Sequence, residues 1–104
     1  MIEVVMTWNL KADIDPRAYA EFANKAIHLT LNAPGCVEFR AHRNLLGSPT
    51  VRATYVWQSL ADWAKFLESA EEQALGTELA TFATNIETQL WGPSPIIPEP
   101  QRSC

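Results

Sequence analysis

Cysteine is scarce in this 104-residue chain, which holds only Cys36 and Cys104, neither with a second cysteine at C-x-x-C spacing. Imidazoles are as few, His28 and His42, and the four soft ligands lie far apart, so no zinc or iron–sulfur centre is expected. Cys36, at the start of a strand-like run, reads as a small buried hydrophobe, and Cys104, in a flexible-looking tail, as inert. Positive charge is also short: eight Lys and Arg stand against 12 Asp and Glu, for a net charge of -4. The basic residues are scattered, without the stripe that releases counterions from a phosphate backbone, so nucleic acid is not an expected partner. No apolar run approaches the length of a membrane span, and no charged-then-apolar leader is visible, so no membrane partner is expected and the cytoplasm is the expected location. What remains is 47% hydrophobic and 19% charged, the balance of one compact domain. A chain this short buries only about two-thirds of its unfolded surface, so association would help its core.

Period-two alternation marks the first strand, "IEVVMTWNLK", with Ile2, Val4, Met6, Trp8 and Leu10 on one face and Glu3, Val5, Thr7 and Asn9 on the other. Asp15 as N-cap and Pro16 at the first helical position open a helix whose apolar stripe is Tyr19, Phe22, Ala23, Ala26 and Ile27. His28 falls on its outer face with Glu21 and Lys25, a solvated position. "NAPG" stops the helix. A second strand is expected over Cys36 to Arg43 and a third over "TVRATYVWQ", joined by "NLLGSP" as a hairpin. Ser59 and Asp62 form a capping signal for a second helix carrying Trp63, Phe66, Leu67 and Ala70. Gly76 is expected to interrupt it and Thr77 to cap it again, with a helical period through Leu79, Phe82, Ala83, Ile86 and Leu90. Over 86–91 a closing strand fits equally well. Residues 93–104 read as an extended Pro-rich tail in which Ile96 and Ile97 suggest docking.

The order β-α-β-β-α and a final β is the split βαβ, ferredoxin-like arrangement of α+β proteins, with helices on one face of an antiparallel sheet. The helix-covered face should carry Val37, Phe39 and Ala41, Val51, Ala53, Tyr55 and Trp57, with the apolar residues of the first strand. Trp8, Trp57 and Trp63 then serve packing. The open face should collect Val5, Thr7, Asn9, Cys36, Glu38, Arg40, His42, Arg52, Thr54 and Val56, and a closing strand of reversed parity would add Trp91. This could be an ordinary solvated face, or the wall of an enclosed space. If it is enclosed, its charges must be paired, hydrated or engaged with a ligand, Glu38 with Arg40 or Arg52 in the first instance.

The run "NAPGCVEFRAHRN", followed by "VRATYVWQSLADWAKFLES", resembles the dimeric α/β-barrel superfamily and, within it, the antibiotic-biosynthesis-monooxygenase-like group. Pro34, Gly35, Cys36, Phe39, Trp57 and Ser59 carry the likeness, which covers residues 1–92 and leaves 93–104 as a tail. The resemblance implies a homodimer in which two open sheet faces meet over a cavity. It also implies oxidation of phenolic, quinol-forming small aromatic substrates without metal, flavin or other cofactor, since a phenolate can pass an electron to O₂ if the protein supplies a base, an anion stabiliser and a dry slot. On that reading His42 is the base. Arg40 and Arg52 hold the phenolate, Asn9 bonds a carbonyl or peroxide oxygen, Val5 and Val56 floor the slot, and Thr7, Glu38, Thr54 and Trp91 complete the lining. The chain departs from the group in having Tyr55 where many members carry a Glu. It also lacks their helix histidine, with Phe66 or Gly76 in its place, which weighs against haem degradation. Relatives on this fold also suggest a cyclase or isomerase working by acid–base chemistry without O₂, or a non-catalytic ligand-binding domain.

Overall fold

The computed structural model describes residues 1–103, and Cys104 lies outside them. Strand β1 (Ile2–Leu10) leads to helix α1 (Pro16–Leu31), then strands β2 (Cys36–Arg43) and β3 (Val51–Trp57), helices α2 (Leu60–Leu67) and α3 (Ala70–Phe82), and strand β4 (Ala83–Trp91). The four strands form one antiparallel sheet in the order β2-β3-β1-β4, the ferredoxin-like order in which β1 and β3 occupy the centre. Local chemistry sets the helix starts. Asp15 accepts the Arg17 N–H at 3.0 Å ahead of Pro16, and Ser59 accepts the Asp62 N–H at 3.1 Å. The core forms where the sheet meets the helices, around Trp8, Phe22, Ala53, Leu75, Leu79 and Ala83.

Three expectations need correction, and one alternative left open is decided. The break between the later helices falls at Ser69, not Gly76. Ser69 Oγ accepts the Glu72 N–H at 3.2 Å and donates to the Phe66 carbonyl at 2.7 Å, while Gly76 lies inside α3. The signal was the Ser69-x-x-Glu72 spacing, a stronger start than a recap after glycine. Ser69→Ala should therefore cost about 1 kcal/mol, read as a melting temperature lower by roughly 4–8 °C. Second, of the two readings open over 86–91 the closing strand is the one observed: residues 83–91 pair with β1, and Asn85 at φ 55° accommodates the register shift opposite Thr7 and Asn9. Third, β2 also has a register shift, between Cys36 and Glu38. Cys36 thereby pairs with Trp57 instead of joining the open face, and Val37, expected under the helices, is 43% exposed. Fourth, Ile96 and Ile97 are exposed rather than docked; their N–H groups both donate to Ser94 Oγ, which turns the segment on itself.

Candidate active site

Between the sheet and its helices lies a cavity of about 450 Å³, a size that suits a small organic molecule. Trp8, Phe39 and Trp57 wall it from the sheet, Phe22 from α1, and Trp63 and Phe66 from α2. These rings are fixed by one another and by hydrogen bonds: Phe39 and Tyr55 have centroids 4.7 Å apart, Trp57 and Phe66 5.3 Å, and Trp8 Nε1 donates to the Tyr19 hydroxyl at 3.3 Å. Space remains because Ala23, Ala26, Ala41, Ala53 and Gly76 stand where larger side chains would meet across the layer. The lining residues Ala41, His42 and Arg43 are exposed, so the cavity opens beside the last residues of edge strand β2.

Few polar groups face this apolar space. Burial pushes the Tyr55 phenol up to about 12; nearby Cys36 and Glu72 add to the shift and the Thr30 hydroxyl opposes it. Tyr55 is consequently a proton donor in hydrogen bonds at neutral pH, not a base. Burial likewise raises the Cys36 thiol, against a backbone hydrogen bond at Val37, which agrees with an unreactive side chain. Glu72 is half-buried in the lining, and burial raises its carboxyl above the ordinary range. Among the described residues its carboxylate has neither a salt bridge nor a hydrogen-bond partner.

The residues singled out by strand parity come together on the opposite, open face. Val5 pairs with Thr54, Thr7 with Arg52, Arg40 with Thr54, His42 with Arg52 and Glu38 with Val56, while Trp91 of β4 lies opposite Glu3. Glu38 accepts from Arg40 Nε at 2.6 Å, the expected pairing, and Arg52 Nη2 lies 3.5 Å from His42 Nδ1. Asn9 Oδ1 accepts the Thr50 N–H at 3.1 Å, which ties that side chain to the start of β3. Of these candidates His42 alone also lines the cavity, at its mouth. Sequence reasoning missed Tyr55, Thr30 and Glu72 as site residues. Glu72 was visible in principle, because it stands three, four and seven residues before Leu75, Gly76 and Leu79, an acid on the buried stripe of its helix.

Residues 1–76 match the family model described as antibiotic biosynthesis monooxygenase. The chain belongs to that family. The matched stretch includes β1 to β3, α1, α2 and Glu72, and so most of the cavity wall of this family member. Among proteins of curated function, none matches it in sequence. Solved structures share its fold at low identity. A mutant form of SnoaB, a cofactor-independent oxygenase from Streptomyces nogalater, superposes with TM-score 0.79 at 17% identity, covering 94% of this chain and 97% of SnoaB. The hydroxynitrile lyase of Passiflora edulis gives TM-score 0.75 at 15% identity over 86% of this chain and 90% of the lyase. A protein of Arabidopsis thaliana gives 0.79 at 13% identity over 90% and 96%. No helix among the described residues is long and apolar enough to cross a membrane.

Proposed function

We propose that this family member is a cofactor-independent monooxygenase acting on a planar phenolic or quinol-type aromatic held between the sheet and the helices. The observation that carries the reading is the cavity of about 450 Å³ whose walls are aromatic and whose interior offers only a few polar groups, Tyr55, Thr30 and Glu72 among them. Flat rings suit a flat substrate, and Tyr55 can donate to an oxygen that becomes negative as the substrate ionises. Exclusion of water leaves such an anion poorly solvated and therefore ready to give an electron to O₂. Membership of the family and the fold shared with SnoaB support oxygenation.

With anthrone as the test substrate the balance is simple. The CH₂ carbon becomes a carbonyl, one oxygen atom of O₂ enters the product, and the other leaves as water with the two hydrogens. The expected result in a sealed oxygen electrode is one O₂ consumed per anthraquinone formed. Conversion of a polyketide-like substrate with no O₂ uptake would instead support the cyclase or isomerase reading. Binding without any conversion would leave a ligand-binding protein.

The open-face set supports a competing location for the same chemistry. If a second copy covered that face, His42, Arg40 and Arg52 would become a base and anion holders in a shared lumen, with Asn9 and Trp91 beside them. We place the reaction on the helix side, so Arg52→Ala and Arg40→Ala should leave anthrone turnover unchanged. Loss of turnover in both, together with a gel-filtration size of two chains rather than one of 11.6 kDa, would move the site to the open face.

A further inference from the structure

We propose that Glu72 is the catalytic base of this cavity, taking the acidic proton of the substrate; the proposal rests on the reading of the cavity as the reaction chamber. The geometry begins with the cap of α3. In a capping box the acid at the third helical position reaches back to the backbone N–H of the cap residue. Here that N–H, on Ser69, already donates to the Phe66 carbonyl at 3.0 Å, while Ser69 Oγ holds the Glu72 N–H. The Glu72 backbone is thus fixed and its carboxylate is left unused by the cap. The side chain lines the cavity on the same helical stripe as Leu75, Gly76 and Leu79. No basic side chain pairs with it among the described residues: Lys25 is engaged by Glu78 at 2.5 Å and Lys11 by the Ala80 carbonyl at 3.1 Å, and neither Lys65 of α2 nor Arg43 in the cavity lining forms an ion pair.

An unpaired carboxylate in apolar surroundings is costly to keep and gains little by structure alone. As a base it has a use. The O–H bond of a phenol, or the acidic C–H bond of the CH₂ in anthrone, breaks, its proton goes to a Glu72 oxygen, and the electron pair is left on the phenolate or, through the enolate, on the carbonyl oxygen, where the Tyr55 hydroxyl can donate to it. The neutral carboxylic acid that results leaves no second anion beside the phenolate. The substrate is therefore expected to enter hydroxyl first, as an uncharged phenol or enol, with any larger substituent toward the mouth at Arg43.

The experiment uses 4-nitrophenol, whose anion absorbs visible light, mixed with the full-length protein at a pH where the free phenol is mostly protonated. The wild type should bind it, quench cavity tryptophan fluorescence and develop the anion band; Glu72→Gln should bind and quench but show no band. Anthrone-dependent O₂ uptake should fall by about 10²–10⁴-fold in Glu72→Gln and recover in part in Glu72→Asp. Thermal melts provide a readout that a structural role would not produce. Because the folded protein binds the Glu72 proton more tightly than the unfolded chain, the wild type loses stability as pH rises from the unfolded carboxyl value through the folded one. Glu72→Gln should accordingly be the more stable form at neutral pH, with the advantage fading in acid. An undiminished anion band or O₂ uptake in Glu72→Gln, or a variant destabilised at every pH, would overturn the proposal. If the wild type ionises 4-nitrophenol through Glu72 yet consumes no O₂ with anthrone, the base stands and the oxygenase reading falls. If neither phenol nor anthrone binds, both fall.

Discussion

Trp57→Ala should lower stability by about 3–5 kcal/mol, the usual cost of emptying a buried aromatic site. For a domain of this length that is a melting temperature reduced by roughly 12 °C or more, and it takes a large share of a total of about 5–15 kcal/mol. Trp57 is the largest fully buried side chain, at 1% exposure. It ends β3, pairs with Ile2 on β1 and Cys36 on β2, and lies against Phe66 of α2. Three strands and a helix are therefore held at one residue, and their collapse onto an alanine would have to move α2. Since the indole also walls the cavity, its removal enlarges a space that already exists, so relaxation inward has less to close upon. Differential scanning calorimetry or urea unfolding gives the loss directly. A cost below about 1.5 kcal/mol, the range of well-tolerated core swaps, would mean that the cavity end is not packed as described.

Why the fold was legible and the site less so follows from what alternation encodes. Period two along 2–8 and 51–57 assigns each side chain to a face, and each of those assignments on β1 and β3 agrees with the observed pairing. On β2 the register shift after Cys36 is invisible to alternation, so the parity of Cys36 and Val37 came out reversed while that of Glu38 to Arg43 held. The cavity was missed for a different reason. Apolar residues under helices read as packed core, and alternation does not reveal whether they fill the space between layers. The available signal was size: five cavity-lining positions, Ala23, Ala26, Ala41, Ala53 and Gly76, are small and stand on four different elements. A polar strand like "EFRAH" attracts notice because its charges are conspicuous, whereas a single acid on an apolar helix stripe is easily passed over. Glu72 was further hidden by placing the helix break at Gly76, which put the acid in the wrong turn of the wrong helix.

The Pro34-Gly35 turn fixes the other side of the cavity, and Gly35→Ala is the second change expected to have a large effect. Gly35 has φ +90°, in the region L side chains rarely adopt, and a Cβ there would overlap the Asp62 side chain in the first turn of α2. Its carbonyl accepts the Gln58 N–H at 2.8 Å, so the turn is tied to the end of β3 just before α2 begins and cannot swing aside freely. The backbone conformation alone costs about 1–2 kcal/mol for alanine, and the overlap with Asp62 adds to it because Asp62 Cβ as well as its carboxylate is in the way. Gly47 separates the two contributions. It also has a positive φ, +123°, but a Cβ there meets nothing within 4 Å, so Gly47→Ala should show conformational strain alone. Gly35→Ala should be clearly the more damaging of the pair, and less so in an Asp62→Ala background, with a coupling of about 0.5–3 kcal/mol in the double-mutant cycle. Displacement of α2 would carry Trp63 and Phe66 with it, so the same variant should weaken quenching of cavity tryptophans by 4-nitrophenol even at temperatures where it stays folded. Equal losses at Gly35 and Gly47, with ligand binding intact, would show that the turn does not position α2.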